Sequence, residues 1–399
     1  MNAQPDADTP PIASPTPFAG LAPWLALSLR GQPLDMPFRE FFAQAGQDSE
    51  NPVLWMQMAL LMMSMNQREQ GLMLQANALE LSRLYTIAAQ QQPTACRVLL
   101  LMAPGDLTAN MPLECLLHGM DIELLQWYCS PEQLLPAPLP AHDVLMVGMS
   151  ESTANSPLLK ALEPLLTDWQ VPVLNPPAAI MHVGRVLASE KLQGLQGVRA
   201  ALTLDCPRDT LLHVYPALPM PCIIRPVDSH AGTHLARLDN HHDLQNYLDR
   251  VEASAYYIAP YIDYRSHDGL FRKYRIALIQ GQPYACHLAI GSHWIVHYVS
   301  AGMYEDAVKR EEEAGFMQDF EHGFAARHAE AWDAIYRRTG LDYVCLDCAE
   351  TMTGELLIFE IDHAMIVHAM DDPEKFAYKQ APMQQLREAF RSMLLGCQS

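Results

Sequence analysis

The sequence predicts a mixed fold, α/β and α+β, in three successive parts: an N-terminal helical region, a unit built on a parallel sheet, and a larger α+β part. Residues 18–92 are rich in Leu, Met, Ala and Gln with few β-branched residues, and apolar positions recur in steps of four and three, as at Leu74, Ala78, Leu81, Tyr85 and Ala88. That period predicts helices. After Pro93, short apolar runs alternate with helix-like segments, which is the pattern of a parallel sheet. Beyond residue 180 hairpin signals take over, and the last two strands carry acids.

Taken in order, residues 1–17 hold five prolines and two aspartates without a basic residue or an apolar signal core, and are expected to be a disordered tail. Residues 18–93 form the helical region; its most apolar stretch, 53–65, is interrupted by Gln57 and Ser64 and is far short of the roughly 20 residues a bilayer needs. Residues 94–176 read as a compact Rossmann-like unit, with strands at 97–102, 122–128, 143–147 and 171–174, a helix start at 112–117 and a helix at 156–169. It lacks GxGxxG, so the sequence gives little support for a dinucleotide site.

In the third part, 222–227 is a strand entering a polar loop, 241–252 is a helix, and 272–279 with 284–290 is a hairpin about a turn at 280–283. A further strand is expected at 294–299. A long helix follows from about 305 to 338, breaking near Gly315 or Gly323 and capped by Gly340. The chain closes on an acidic hairpin.

The 46 acidic against 26 basic residues leave a formal charge of −20, which disfavours nucleic acid and anionic lipid as partners. Nine scattered cysteines suit reduced thiols in a cytoplasmic protein. Cys345 and Cys348 have CxxC spacing, but in a strand they point to opposite faces, and no second pair completes a zinc site.

Residues 341–350 and 355–362 are apolar strands bearing Asp347, Glu360 and Asp362. With Thr353 and Gly354 as a two-residue turn, Asp347 faces Glu360, Asp362 shares that face, and Tyr343, Cys345, Leu356 and Ile358 are their neighbours. Opposed carboxylates destabilise a ladder. A cation is therefore expected between them, and oxygen ligands favour Mg²⁺ or Mn²⁺. The alternative is an edge hairpin whose acids face water. Arg225, before the loop from Ser229 through His230 and Gly232 to Thr233, and the group Arg272, Lys273 and Arg275 are candidate anion contacts in a chain poor in cations. His293 and His297 stand four apart without the glutamate of a zinc-protease motif. A histidine-based metal enzyme rests on that spacing alone. His230, His287 and His363 suit hydrogen bonds to phosphate or substrate, or a neutral place in the core.

In this order the motifs resemble the ATP-grasp superfamily, in particular its carboxylate–amine ligases of the glutathione synthetase and ribosomal-protein glutamate ligase type, over residues 95–395. The resemblance rests on 173–180 followed by Arg185; on 223–232, where Arg225 stands for the usual phosphate-binding lysine; on 257–263, similar to the hinge lining an adenine pocket; on Arg275; and on the three acids. It implies a Rossmann-like pre-ATP-grasp domain and a two-lobed ATP-grasp domain over 177–395. It also implies ATP with Mg²⁺ or Mn²⁺ as cofactors, and Asp347, Glu360 and Asp362 as metal ligands. Arg225 and Arg275 are the implied catalytic cations. Arg185, Arg225, Ser229, His230, Gly232, Tyr261, Asp263 and Lys273 are the implied nucleotide contacts. Ala259 and Pro260 replace the usual polar hinge pair, so the ribose contact is open with Asp263 as candidate, and 362–368 replaces the usual Asn-x-x-Pro-Gly ending.

The activity so implied joins a small-molecule or peptide carboxylate to an amine through an acyl phosphate, with release of ADP and phosphate. The other reading is a nucleotide-binding interaction module that has lost turnover, its N-terminal helices holding a protein or peptide partner. Neither a nucleic acid nor a membrane is an expected partner; a homo-oligomer is a candidate assembly.

Overall fold

The computed structural model describes residues 16–214, 218–229 and 232–397, so most of the N-terminal tail lies outside the described residues. Four helices come first, α1 (Ala22–Leu29), α2 (Asp35–Ala45), α3 (Pro52–Ser64) and α4 (Arg68–Leu81). Asn51 caps α3 through its side chain, with Pro52 at the first helical position. α3 is apolar on nearly every side and is buried accordingly. It crosses α4 closely at Gly71, whose hydrogen faces Met63 and the Ala59 carbonyl.

The helical period does not persist to Ala88. α4 ends at Leu81, and Tyr85 lies in strand β1 (Leu84–Ile87), antiparallel to β3 (Ile122–Tyr128). Sheet pairing outweighs local propensity here, because an apolar Leu-Tyr-Thr-Ile run beside an open sheet edge gains a ladder and buries Tyr85.

The first sheet has the order β1-β3-β2-β4-β5, completed by β2 (Cys96–Met102), β4 (Val144–Val147) and β5 (Val173–Leu174). β2, β3, β4 and β5 run parallel as expected, with short α5 (Leu113–Leu117) and α6 (Ser156–Leu166) between strands. α7 (Pro177–Ile180) and α8 (Arg185–Lys191) lead onward to β6 (Val198–Ala200).

A second sheet, β7-β10-β8-β9, comprises β7 (Leu204–Pro207), β8 (Cys222–Pro226), β9 (Ala236–Leu238) and β10 (Ala255–Pro260). With α9 (Arg208–Val214) and α10 (His241–Leu248) it makes a small lobe with its own core around Ile224, Leu244, Tyr247 and Tyr256.

The third sheet, β12-β11-β13-β14-β6, contains β11 (Phe271–Ile279), β12 (Gln282–Gly291), β13 (Tyr343–Glu350) and β14 (Leu356–Asp362). No strand forms at 294–299; that segment turns back, and its Trp294 and Val296 pack instead against Tyr264, Phe271 and Phe359. The long helix is broken into α11 (Ala307–Gln318), a π-helical turn over Glu321–Ala325 that contains Gly323, and α12 (Ala329–Thr339). Gly340 caps α12 at φ 69°, a left-handed conformation that glycine adopts without steric cost. α13 (Gln380–Gly396) closes the chain.

The first and third sheets share two large cores. One joins α1, α3, β2, β3 and α13 to Tyr343 and Cys345; the other joins β2, β4, α6 and α12 to Leu346 and Cys348. Cys345 and Cys348 thus face opposite sides of β13, as the strand period predicts. Asn175, just after β5, receives the Tyr343 N–H at 3.1 Å and donates to the Tyr343 carbonyl at 2.8 Å, tying the edge strand of the first sheet to the start of β13, the central strand of the third.

Candidate active site

The acidic hairpin reaches its register by a different route from the two-residue turn. Glu350 pairs with Leu356 and Thr351 N–H bonds to the Glu355 carbonyl, so residues 352–354 form a three-residue loop. A bulge then adds one residue, Phe359, to β14, and beyond it Asp347 stands opposite Glu360 and Cys345 opposite Asp362. The pairing of the acids is as expected, and Tyr343 and Cys345 share the Asp347 face of β13; the expected neighbours on β14 do not. Leu356 and Ile358 fall on the other face, in the core with Cys348, while Leu357 and Phe359 join Glu360 and Asp362 along the cavity.

That cavity, about 470 Å³, lies between the small lobe and the third sheet. Part of its lining is apolar: Ile223, Tyr257, Ile258, Ala259, Tyr261, Trp294, Leu357 and Phe359. Interleaved with these are Arg185, Arg225, Lys273 and Arg275 with Asp347, Glu360 and Asp362. Strand neighbours set this arrangement: Tyr257 pairs with Arg225 across β10 and β8, and Arg275 pairs with Asp347 across β11 and β13.

The chain's own side chains supply cations between the acids. Arg275 grips Asp347 with Nε at 2.8 Å and Nη2 at 3.1 Å, and Lys273 Nζ lies 2.6 Å from the same carboxylate. Burial raises the Asp347 pKa, but Arg275 and Lys273 outweigh it and hold the group well below the carboxylate range. Glu360 pairs with Arg185, the first residue of α8. Its pKa is lowered: burial pushes up and Arg185 prevails. Asp362 accepts the Ala364 N–H at 2.8 Å and makes no ion pair with Lys or Arg among the described residues. Burial and the charge of Glu360 push it up to about 7. Among the described residues no group of three or more His, Cys, Asp or Glu is arranged to hold a metal ion.

Arg225 is buried, and its Nε donates to Ser229 Oγ at 2.9 Å, so the guanidinium organises the loop after β8. Burial and Arg185 lower its pKa to about 10. Ser229 Oγ donates to the Pro226 carbonyl at 2.7 Å and borders an adjoining small cavity with Glu151 and Asp228 rather than the large one. Gly232 lines the large cavity directly against the His297 ring, where a Cβ would collide. His230 lies outside the described residues. Tyr261 lines the cavity, with Arg237 stacked 4.2 Å from its ring centroid. Asp263 is placed away from it: its carboxylate is exposed and takes Arg265 Nε at 2.9 Å, so the tight local ion pair draws it outward.

Of the histidines, His293 is exposed, His297 lines the cavity, and the two are not brought together as ligands. The His287 ring lies 4.6 Å from that of Tyr298, tilted by 43°, and burial beside Arg275 keeps it neutral; burial also lowers His363 to about 4. Arg272 turns outward, away from the cavity, to Asp268 and Glu312. Sequence reasoning missed Leu107, Thr108, Trp294, Phe359, Met365 and Ile366 as cavity residues. Only tertiary placement brings the first two, from the first sheet, to this wall.

No family model matches the chain, and no curated protein matches it. No helix among the described residues is long and apolar enough to cross a membrane. The RimK domain protein ATP-grasp from Sphaerobacter thermophilus DSM 20745 is similar at 13% identity and TM-score 0.43, over 75% of this chain and 99% of that one. D-alanine–D-alanine ligase from Bacillus anthracis complexed with ATP is similar at 12% identity and TM-score 0.43, over 73% and 98%. The D-alanine–D-alanine ligase from Coxiella burnetii is similar at 12% identity and TM-score 0.46, over 75% and 95%. The solved structures similar to the chain thus include an ATP-grasp protein and D-alanine–D-alanine ligases.

Proposed function

We propose that this chain is an ATP-dependent ligase that joins a carboxylate to an amine through an acyl phosphate, releasing ADP and phosphate. The observation that carries the reading is one cavity whose apolar and aromatic lining is interleaved with four cations and three carboxylates. Its volume is in the range of small-molecule sites. The apolar part suits a purine between Tyr257, Ile258 and Phe359, and the cations suit a polyphosphate. Arg225, Lys273 and Arg275 would hold the oxygens of the transferring phosphoryl group. The two partners of Asp347 are already fixed by it, so they need little reorganisation when the anion arrives.

A magnesium ion fits two of the three acids. Asp347 is occupied by Arg275 and Lys273, whereas Glu360 and the under-compensated Asp362 present adjacent carboxylates on one strand face. Mg²⁺ commonly takes one or two carboxylates plus substrate phosphates. When bound there it would neutralise phosphate charge. Arg185, freed in part from Glu360, would then face the same anion.

The reading is tested by incubating the chain with ATP, Mg²⁺, a panel of carboxylic acids and hydroxylamine. Hydroxamate and ADP are the expected products. Release of AMP and pyrophosphate overturns it, and ATP binding without acid-dependent turnover favours the interaction module.

A further inference from the structure

We infer that the N-terminal helices hold residues 105–108 as the wall that receives the carboxylate substrate, an acid with an apolar flank, with Arg68 and Gln75 as positioning residues; the substrate assignment rests on the ligase reading above. The loop between β2 and α5 is fixed at its base by its own sheet domain. Asn110 closes on both backbone groups of Ala103, at 2.7 and 2.8 Å, and the Ala109 carbonyl takes Ser150 Oγ at 3.0 Å and Asn155 Nδ2 at 2.9 Å. The tip is held differently. Gln75, buried on α4, exchanges two hydrogen bonds with the backbone of Gly105, at 2.8 and 2.9 Å. Arg68 at the start of α4 reaches Asp106 at 2.5 Å, and Asp106 in turn accepts Thr108 N–H at 3.0 Å and its hydroxyl at 2.6 Å. Leu107 packs against a small core of Leu21, Ala22, Cys115 and Met370, which Leu25 and Leu29 of α1 also cover.

Leu107 and Thr108, so gripped, line the large cavity together with Ala364, Met365 and Ile366. Arg275 Nη1 donates to the Ile366 carbonyl at 3.2 Å, which sets this wall beside the cations. An acid that attacks a terminal phosphoryl group must lie next to those cations, and Leu107, Met365 and Ile366 would flank its chain. Two helices of a region outside the ATP-grasp resemblance therefore shape the site from behind.

The test uses the full chain carrying Arg68→Ala, Gln75→Ala or Arg68→Lys. Amide exchange at residues 105–108 is expected to rise about tenfold in both alanine variants while exchange at 255–262 is unchanged. With hydroxylamine and acetate, butanoate or 4-methylpentanoate, KM for the aliphatic acids is expected to rise about tenfold, with kcat and the KM for ATP preserved. Arg68→Lys should restore the wild-type KM. Unchanged loop exchange, or equal rises in KM for acid and ATP, overturns the inference. A wild-type chain that forms no hydroxamate from these acids counts against the ligase reading and the carboxylate role of the wall, and exchange alone then decides the positioning.

Discussion

Glu114 is a buried carboxylate far from the cavity, accepting Leu21 N–H at 3.1 Å and Gln126 Nε2 at 3.0 Å. Burial raises its pKa above the ordinary 4.5 despite those bonds. Its folded value exceeds its unfolded one, so the stability it contributes is full below about pH 4.5 and is lost as pH rises through the folded value. Glu114→Gln should therefore raise the urea midpoint at pH 7.5, with the advantage shrinking toward pH 4; a lower midpoint at pH 7.5 would contradict this. Asp347 is the opposite case. Removing it by Asp347→Ala leaves Lys273 and Arg275 facing each other in a mostly buried site, and should cost about 3–5 kcal/mol in chemical denaturation. At this scale the sequence was legible wherever a charge stood in an apolar strand, as at Arg225, Lys273, Arg275 and the three acids. It was not legible at Leu107 or Phe359, whose composition is that of ordinary core residues, nor at Asp263, which a neighbour two residues away captures.

Among elements, the parallel run β2 to β5 and the hairpins were readable because apolar runs and turn residues act locally. β1 was not, because only a partner strand distinguishes Leu84–Ile87 from the last turn of a helix. The α3–α4 crossing offers a test of packing against propensity. Gly71→Ala favours helix by about 1 kcal/mol, yet its Cβ would press on Met63 and on the Ala59 carbonyl at 3.1 Å. Overpacking should prevail, with a net loss of about 1–2 kcal/mol in urea unfolding. A gain in stability would show that α4 can shift away from α3.

For the whole molecule, the two sheets joined by Asn175 and by common cores form one base, while the small lobe carries a separate core and contributes Arg225 and part of the apolar lining. A ligand in the cavity touches both and should stabilise them together. A non-hydrolysable ATP analogue with Mg²⁺, at a hundredfold excess over its Kd, should stabilise the chain by about 2.7 kcal/mol and raise the thermal midpoint. If Arg225 holds phosphate as proposed, Arg225→Ala should abolish most of that shift, with the Ser229 loop anchor lost as well. An undiminished shift would place the phosphates elsewhere. The succession of early helices, parallel strands and later hairpins was visible in periodicity. The cavity was not, since it exists only where the loop after β2 meets the later strands and the small lobe.

The extra residue in β14 bears on which length changes the hairpin can survive. Removing Phe359 alone would restore an unbroken ladder in which Asp347 still meets Glu360 and Cys345 still meets Asp362, at the loss of one ring from the cavity wall. Removing a residue between Glu360 and Asp362 would instead turn Asp362 toward the core that holds Trp332 and Ile335. A chain that is to keep both acids on the cavity face can therefore lack Phe359, but not Ile361.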